Sequence, residues 1–167
     1  MRKVERNIVY IDGANLHKGA KSIGLDLDYE RLRTWLGFKY GVTDAYLFIG
    51  MVSEYTELYN HLQRAGFKLV FKDVVFDGMG KPKGNCDADL VLKLVSDFYE
   101  GEANSIVLVS SDGDYASTIR FLIGKGRMPI ILSPSDVQRC SILLKRTGAR
   151  ITYLRDFMKI LKKQPQK

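Results

Sequence analysis

Short apolar runs rich in β-branched residues alternate along this chain with segments whose apolar positions recur every three to four residues. The runs of strand length are Asn7 to Ile11, Ala45 to Met51, Lys68 to Val75, Ser105 to Val109, Met128 to Leu132 and Arg150 to Tyr153. Helical periodicity covers Asp28 to Trp35, Glu54 to Ala65, Asp87 to Glu100, Tyr115 to Gly124, Asp136 to Thr147 and Arg155 to Lys162, and a further helical segment opens near Asn15. Gly66 and Gly148 are placed to terminate helices, and Ser53 and Ser135 to start them.

A strand–helix repeat of this kind predicts an α/β fold. Parallel neighbours need a crossover, the crossover is right-handed, and helices then cover both faces of the sheet. The expectation is a single-domain three-layer α/β/α sandwich with a mainly parallel, Rossmann-like central sheet over residues 1–163, followed by a frayed tail at 164–167. No internal repeat, low-complexity block or linker interrupts it. The segment Phe76 to Asn85, with three glycines, one proline and two lysines, reads as a mobile basic loop leading to the helix that begins near Asp87.

Composition narrows the class. At 167 residues the chain is long enough to bury about two thirds of its unfolded surface without disulfide or metal staples. No apolar stretch approaches the ~20 residues of a membrane helix. The charged N-terminus shows no signal-peptide pattern, so the expected location is the cytoplasm. There Cys86 and Cys140 are expected to be reduced thiols.

The net charge of +7 conceals a division. Residues 118–167 carry 12 Lys/Arg against 2 Asp/Glu, a balance of +10, whereas residues 1–117 carry 14 against 17, a balance of −3. A basic surface beside carboxylates suits a protein that grips a polyanion by its phosphates and gathers negative charge at one place for a metal. A solvated surface with a basic tail is the plainer alternative.

The acids are placed for the first role. Asp12 follows Ile8-Val9-Tyr10-Ile11, and Asp112 and Asp114 follow Ile106-Val107-Leu108-Val109, so all three should stand at carboxyl ends of buried strands. Ligands of open α/β sheets collect there, where strand order reverses. Gly113 is read as allowing the tight turn between two of these acids. Asn15 is placed to orient Asp12 or to touch phosphate, and Asp87 and Asp89 stand at the start of a later helix. An N-cap is the ordinary role of an Asp at a helix start, and Asp87, Asp89 and Asp114 each fit it. Asp12 and Asp112, beyond buried strands, fit it less well. Carboxylates forced together repel unless a cation compensates, and oxygen donors select Mg²⁺ or Mn²⁺. The two histidines and two thiols have no zinc spacing.

Three ordered segments carry a resemblance. Asp12-Gly13-Ala14-Asn15, then Lys83-Gly84-Asn85-Cys86-Asp87-Ala88-Asp89-Leu90, then Ser110-Ser111-Asp112-Gly113-Asp114-Tyr115 resemble the signature segments of the NYN domain family. More narrowly the chain resembles the LabA-like branch, within the PIN-like nuclease superfamily, from about Asn7 to Leu154. The resemblance implies a PIN-like fold with the first strand beside the fourth, and a metal-dependent ribonuclease acting on RNA with Mg²⁺ or Mn²⁺. By matching position, Asp12, Asp87, Asp112 and Asp114 would ligate the metal directly or through water. Asn15 and Ser110 would brace the site or touch phosphate, and Lys83 would be the basic residue before the middle acid. Ser111 stands where Gly is commoner and Tyr115 where Phe is commoner; Ser111 could crowd or supplement the pocket. Asp89 falls at a position that varies among members.

Other residues receive plainer readings. Lys81 and Lys83 either hold phosphate or solvate their loop. His17 and His61 have no partner pattern for catalysis, Trp35 and most of the tyrosines, Tyr115 among them, read as core, and Asp97 reads as a surface charge. A non-catalytic RNA-binding module of the same fold is the second functional class. An aspartyl-phosphate enzyme is disfavoured, because Asp12-Gly13-Ala14 lacks the second acid two residues on. Homo-oligomerisation stays open.

Overall fold

A computed structural model describes residues 6–51, 53–83 and 86–165, without the side chains of Pro82 and Lys83. In chain order the elements are β1 (Asn7–Asp12), α1 (Gly13–Ser22), α2 (Tyr29–Tyr40), β2 (Val42–Met51), α3 (Thr56–Arg64), β3 (Lys68–Asp73), β4 (Val75–Phe76), β5 (Pro82–Lys83) and α4 (Asp87–Glu100). There follow β6 (Ser105–Val109), α5 (Ala116–Gly124), β7 (Ile130–Ser133), α6 (Ile142–Lys145), β8 (Arg150–Tyr153) and α7 (Met158–Leu161). The main sheet has the order β3-β2-β1-β6-β7-β8 and every pairing in it is parallel.

This order places β1 at the centre, with β2 on one side and β6 on the other. The chain winds outward from β1 to β3, then returns to the middle and winds outward again from β6 to β8. Strand order therefore reverses between β1 and β6, which opens a crevice at their carboxyl ends. Ile11 lies opposite Val109 and Asp12 opposite Phe48, so Asp12 and Ser110 leave the sheet side by side.

Side-chain alternation builds the layers. Val9, Ile11, Leu47, Val107 and Val109 face α1, α2, α3 and α7 through Leu16, Leu32, Trp35, Leu36, Leu62 and Leu161. Ile8, Tyr10, Phe48, Ile106 and Leu108 face the other way, toward Leu90 and Leu94 of α4, Ile119 and Leu122 of α5 and Leu144 of α6. Burying each such aliphatic side chain contributes about 1.5–3 kcal/mol, which pins both register and face. Gly13 is fixed by packing, since a Cβ there would stand 2.6 Å from the Phe48 carbonyl oxygen. That close approach lets α1 begin directly at the end of β1.

The elements differ from the sequence expectation mainly at their limits. The first long helix runs on past Trp35 to Tyr40, where Gly41 at φ 64° ends it, and β2 starts at Val42 rather than Ala45. The expected helix from Asp136 to Thr147 is reduced to α6. Asp136 to Cys140 forms a turn, and Ser141 is extended because its amide donates to the Ser111 carbonyl while its hydroxyl caps Leu143. Tertiary hydrogen bonds override local periodicity there. The expected basic loop is instead folded in part as the β4–β5 hairpin, whose tip is tied by Met79 and Lys81 amides donating to Asp77. Gly84 and Asn85 lie outside the described residues.

Asp97 corrects the reading of a surface charge. It is 2% exposed under α4, accepting from the Tyr10 hydroxyl at 2.8 Å and from Lys93 Nζ at 2.6 Å. Burial, with this carboxylate beside it, pushes the Tyr10 phenol far above its usual range. A carboxylate so enclosed is tolerable only because both partners are satisfied. The pair clamps α4 onto β1.

Candidate functional site

The carboxyl ends of β1 and β6 and the first turn of α4 bring the predicted acids into one crevice. Asp12 caps α1, its Oδ1 accepting from the Asn15 amide at 3.0 Å, and is 7% exposed. Asp112 caps the single 3₁₀ turn after β6 by accepting from the Asp114 amide at 3.0 Å. Asp87 starts α4. Oxygens of Asp87, Asp112 and Asp114 lie within 4.8 Å of one another. Asp12 is not in that set; it reaches the others through Tyr115.

Tyr115 joins two of the acids. Its hydroxyl lies 2.7 Å from Asp87 Oδ1 and 3.1 Å from Asp12 Oδ2. The sequence reading as core holds for the ring, which is 1% exposed, and misses the hydroxyl. The available signal was its position one residue after Asp114, where the turn carries it beneath the acids. Burial and the two carboxylates raise the Tyr115 phenol far above its usual range.

Burial also raises the Asp12 carboxyl above its ordinary value. The Asn15 amide and the Tyr115 hydroxyl oppose that shift, while Asp87 and Asp112 add to it. The neighbouring Cys86 thiol is pushed up by burial first and then by Asp12. Both cysteines are free.

The polar residues divide between bracing and distance. Asn15 Oδ1 accepts from the Ser111 amide at 2.8 Å, tying the end of β1 to the end of β6. Ser110 is buried, and its Oγ accepts from the Asp112 amide at 3.1 Å. Ser111 turns from the acids: its Oγ lies 3.0 Å from Ser133 Oγ and accepts from the Ser135 amide, so it braces β7 rather than crowding the pocket. Ser133 and Ser141 are supports that the sequence reading did not single out, and Ser135, read there as a helix start, instead donates its amide to Ser111 Oγ. Gly113 has no positive φ; what excludes a side chain there is the close approach of Ser141 Oγ.

Asp89 and Lys81 do not join the cluster. Asp89 faces the other flank of α4, 3.7 Å from Lys72, in a groove of about 670 Å³ that also holds Phe48, Val70 and Lys93. Lys81 lies on the hairpin with an exposed side chain, and the side chain of Lys83 is outside the described residues. The basic third is also dispersed. Arg127 and Arg150 stand at the amino ends of β7 and β8, whereas Arg139 and Lys145 lie in the segment after β7.

The donor set fits a hard divalent cation. Three carboxylates with converging oxygens are donors of the kind that such a cation accepts. Among the described residues, no ion pair involves Asp12, Asp112 or Asp114. Beside the cluster a groove of about 550 Å³, walled by Ala88, Val91, Leu92, Val95 and Thr118, begins at Asp87 and Asp114.

Comparison with known proteins bears on the fold and on the family. A crystal structure of a protein of unknown function from Vibrio parahaemolyticus superposes with a TM-score of 0.72 at 17% identity, over 92% of this chain and 96% of that one. Such a likeness bears on the fold alone. No curated protein matches the sequence. No helix among the described residues is long and apolar enough to cross a membrane. The NYN domain matches residues 6–147, spanning all three acidic segments. The chain therefore belongs to the NYN domain family.

Proposed function

We propose that this protein is an endoribonuclease dependent on Mg²⁺ or Mn²⁺, of the LabA-like branch, acting in the cytoplasm. NYN domains are generally nucleases. The observation that carries the reading is the convergence of Asp87, Asp112 and Asp114 at the reversal point of the sheet. Asp87, Asp112 and Asp114 would hold the divalent cation, which would supply Lewis acidity toward a phosphodiester and toward the attacking water, and Asp12 braces these three from β1.

The chain's own residues supply orientation. Asn15 fixes the ends of β1 and β6 relative to each other, and Ser110 holds the Asp112 backbone. The groove beside Asp87 and Asp114 leaves substrate an open approach. Basic residues of the segment after β7, among them the exposed Arg139, would meet the RNA backbone, and such contacts weaken as salt rises.

The test is cleavage of RNA with Mn²⁺ or Mg²⁺ by the purified protein, abolished by EDTA. Asp112→Asn and Asp12→Asn should each lower the rate by about a hundredfold or more while circular dichroism shows the fold intact. RNA binding without cleavage under any divalent cation would instead leave a binding module of the same fold.

A further inference from the structure

The Tyr115 hydroxyl has one proton and meets two carboxylates. It sits 2.7 Å from Asp87 Oδ1 and 3.1 Å from Asp12 Oδ2, at the foot of a crevice where its ring is fully buried. A phenol has a single proton, so the two carboxylates share it and are held together through it. Asp12 has little freedom to turn away. Its other oxygen already accepts from the Asn15 amide, and Asn15 in turn is held by the Ser111 amide. The contacts form a continuous chain from the end of β6 through β1 to the first turn of α4.

At the far end of that chain stands Asp87, one of the three acids with converging oxygens, whereas Asp12 is outside that set. We infer that Tyr115 is a positioning residue, through whose hydroxyl Asp12 fixes the Asp87 carboxylate against Asp112 and Asp114. The inference rests on the proposed cation site for its purpose, although the bridge itself exists without a cation. Groups of this kind, hydrogen-bonded behind a metal ligand, typically change cation affinity by 10–100-fold when removed. Phe is the informative replacement, since it keeps the buried ring and deletes only the hydroxyl.

The experiment is a double-mutant cycle on the full chain with Tyr115→Phe, Asp12→Asn and their combination, read in two ways. In EDTA, Tyr115→Phe should lower the melting temperature by about 4 °C, and by less than half as much in the Asp12→Asn background, where the hydroxyl meets one carboxylate instead of two. In Mn²⁺ titrations followed by calorimetry, Tyr115→Phe should weaken binding about tenfold, again with a smaller loss in the Asp12→Asn background. A residue that merely fills the core would give additive effects in both, and that result overturns the inference. So does coupling in EDTA with unchanged Mn²⁺ affinity, because the bridge would then not position Asp87 for a cation. If the wild-type protein binds no divalent cation, the nuclease reading fails by itself, and the cycle in EDTA decides whether Tyr115 links the two acids.

Discussion

β1 and β2 lie side by side with one partly or fully buried carboxylate at each end of the pair, Asp44 near the amino end of β2 and Asp12 at the carboxyl end of β1, and the two ends treat them in opposite ways. At the amino end, Asp44 of β2 accepts from Arg6 Nε at 3.0 Å and from Lys68, with Thr43 adding a third donor. Arg6 also reaches Glu102 at 2.6 Å. The Arg6 hydrogen bond, aided by Lys68, holds Asp44 well below the usual carboxylate range despite its partial burial. At the carboxyl end, Asp12 is raised by burial and by the nearby Asp87 and Asp112. One end has its cations built in from the chain. The other gathers acids with no cation of the chain paired to Asp12, Asp112 or Asp114 among the described residues, and on the proposed reading the contrast separates a structural cluster from a functional one.

The largest effect that tests this contrast is stabilisation by added cation. At a hundredfold excess over Kd, Mn²⁺ should stabilise the wild-type protein by about 2.7 kcal/mol, read as a rise in melting temperature. Asp87→Asn and Asp112→Asn should lose nearly all of that rise, and Asp44→Asn should keep it. Equal shifts in all variants would place the cation away from the crevice.

Next in size is the cost of opening the amino-end network. Asp44→Asn should destabilise by about 2 kcal/mol in urea, since it removes charged hydrogen bonds from Arg6 and Lys68, while RNA cleavage stays within about twofold of wild type. The pH dependence has a definite sign. A carboxyl held below its unfolded value contributes stability at all pH above about 4, and that contribution is lost as pH falls through the depressed folded value. Wild type should therefore lose stability on an acid limb that Asp44→Asn lacks. A cleavage defect as large as that of Asp112→Asn would mean that the two ends are not independent.

The carboxyl end was the more legible of the two, for physical reasons. Asp12 and Asp112 follow β-branched runs that can be buried only as strands, so their place at a strand end follows from period and length. The parallel order comes with that pattern, and the adjacency of β1 and β6 comes with the family resemblance alone. Tyr115 was legible as a ring and not as a hydroxyl, because an aromatic at a helix start looks the same whether its oxygen faces solvent or two acids. Asp97 was misread since its partner Tyr10 is 87 positions away, and a helix pattern registers only that an acid is polar. Ser141 broke an expected helix for the same reason, through a bond to Ser111 that no local window contains.

The smallest effect is the most diagnostic of the open end. Burial raises the folded value of Asp12 above its unfolded value of about 3.9, so between the two the folded state binds more protons. Wild-type stability then falls as pH rises through that window. Asn keeps the shape and has no charge to desolvate. In EDTA, Asp12→Asn should gain on the order of 1 kcal/mol at neutral pH, the scale of one charged hydrogen bond, and the gain should vanish as pH falls toward the unfolded value. Saturating Mn²⁺ should erase or reverse it, since the negative charge then stabilises the bound cation. A gain that ignores pH would come from packing alone. A loss at neutral pH in EDTA would mean that the hydrogen bonds Asp12 accepts from Asn15 and Tyr115 outweigh the cost of burying its charge, and the two ends of the strands would no longer differ in kind.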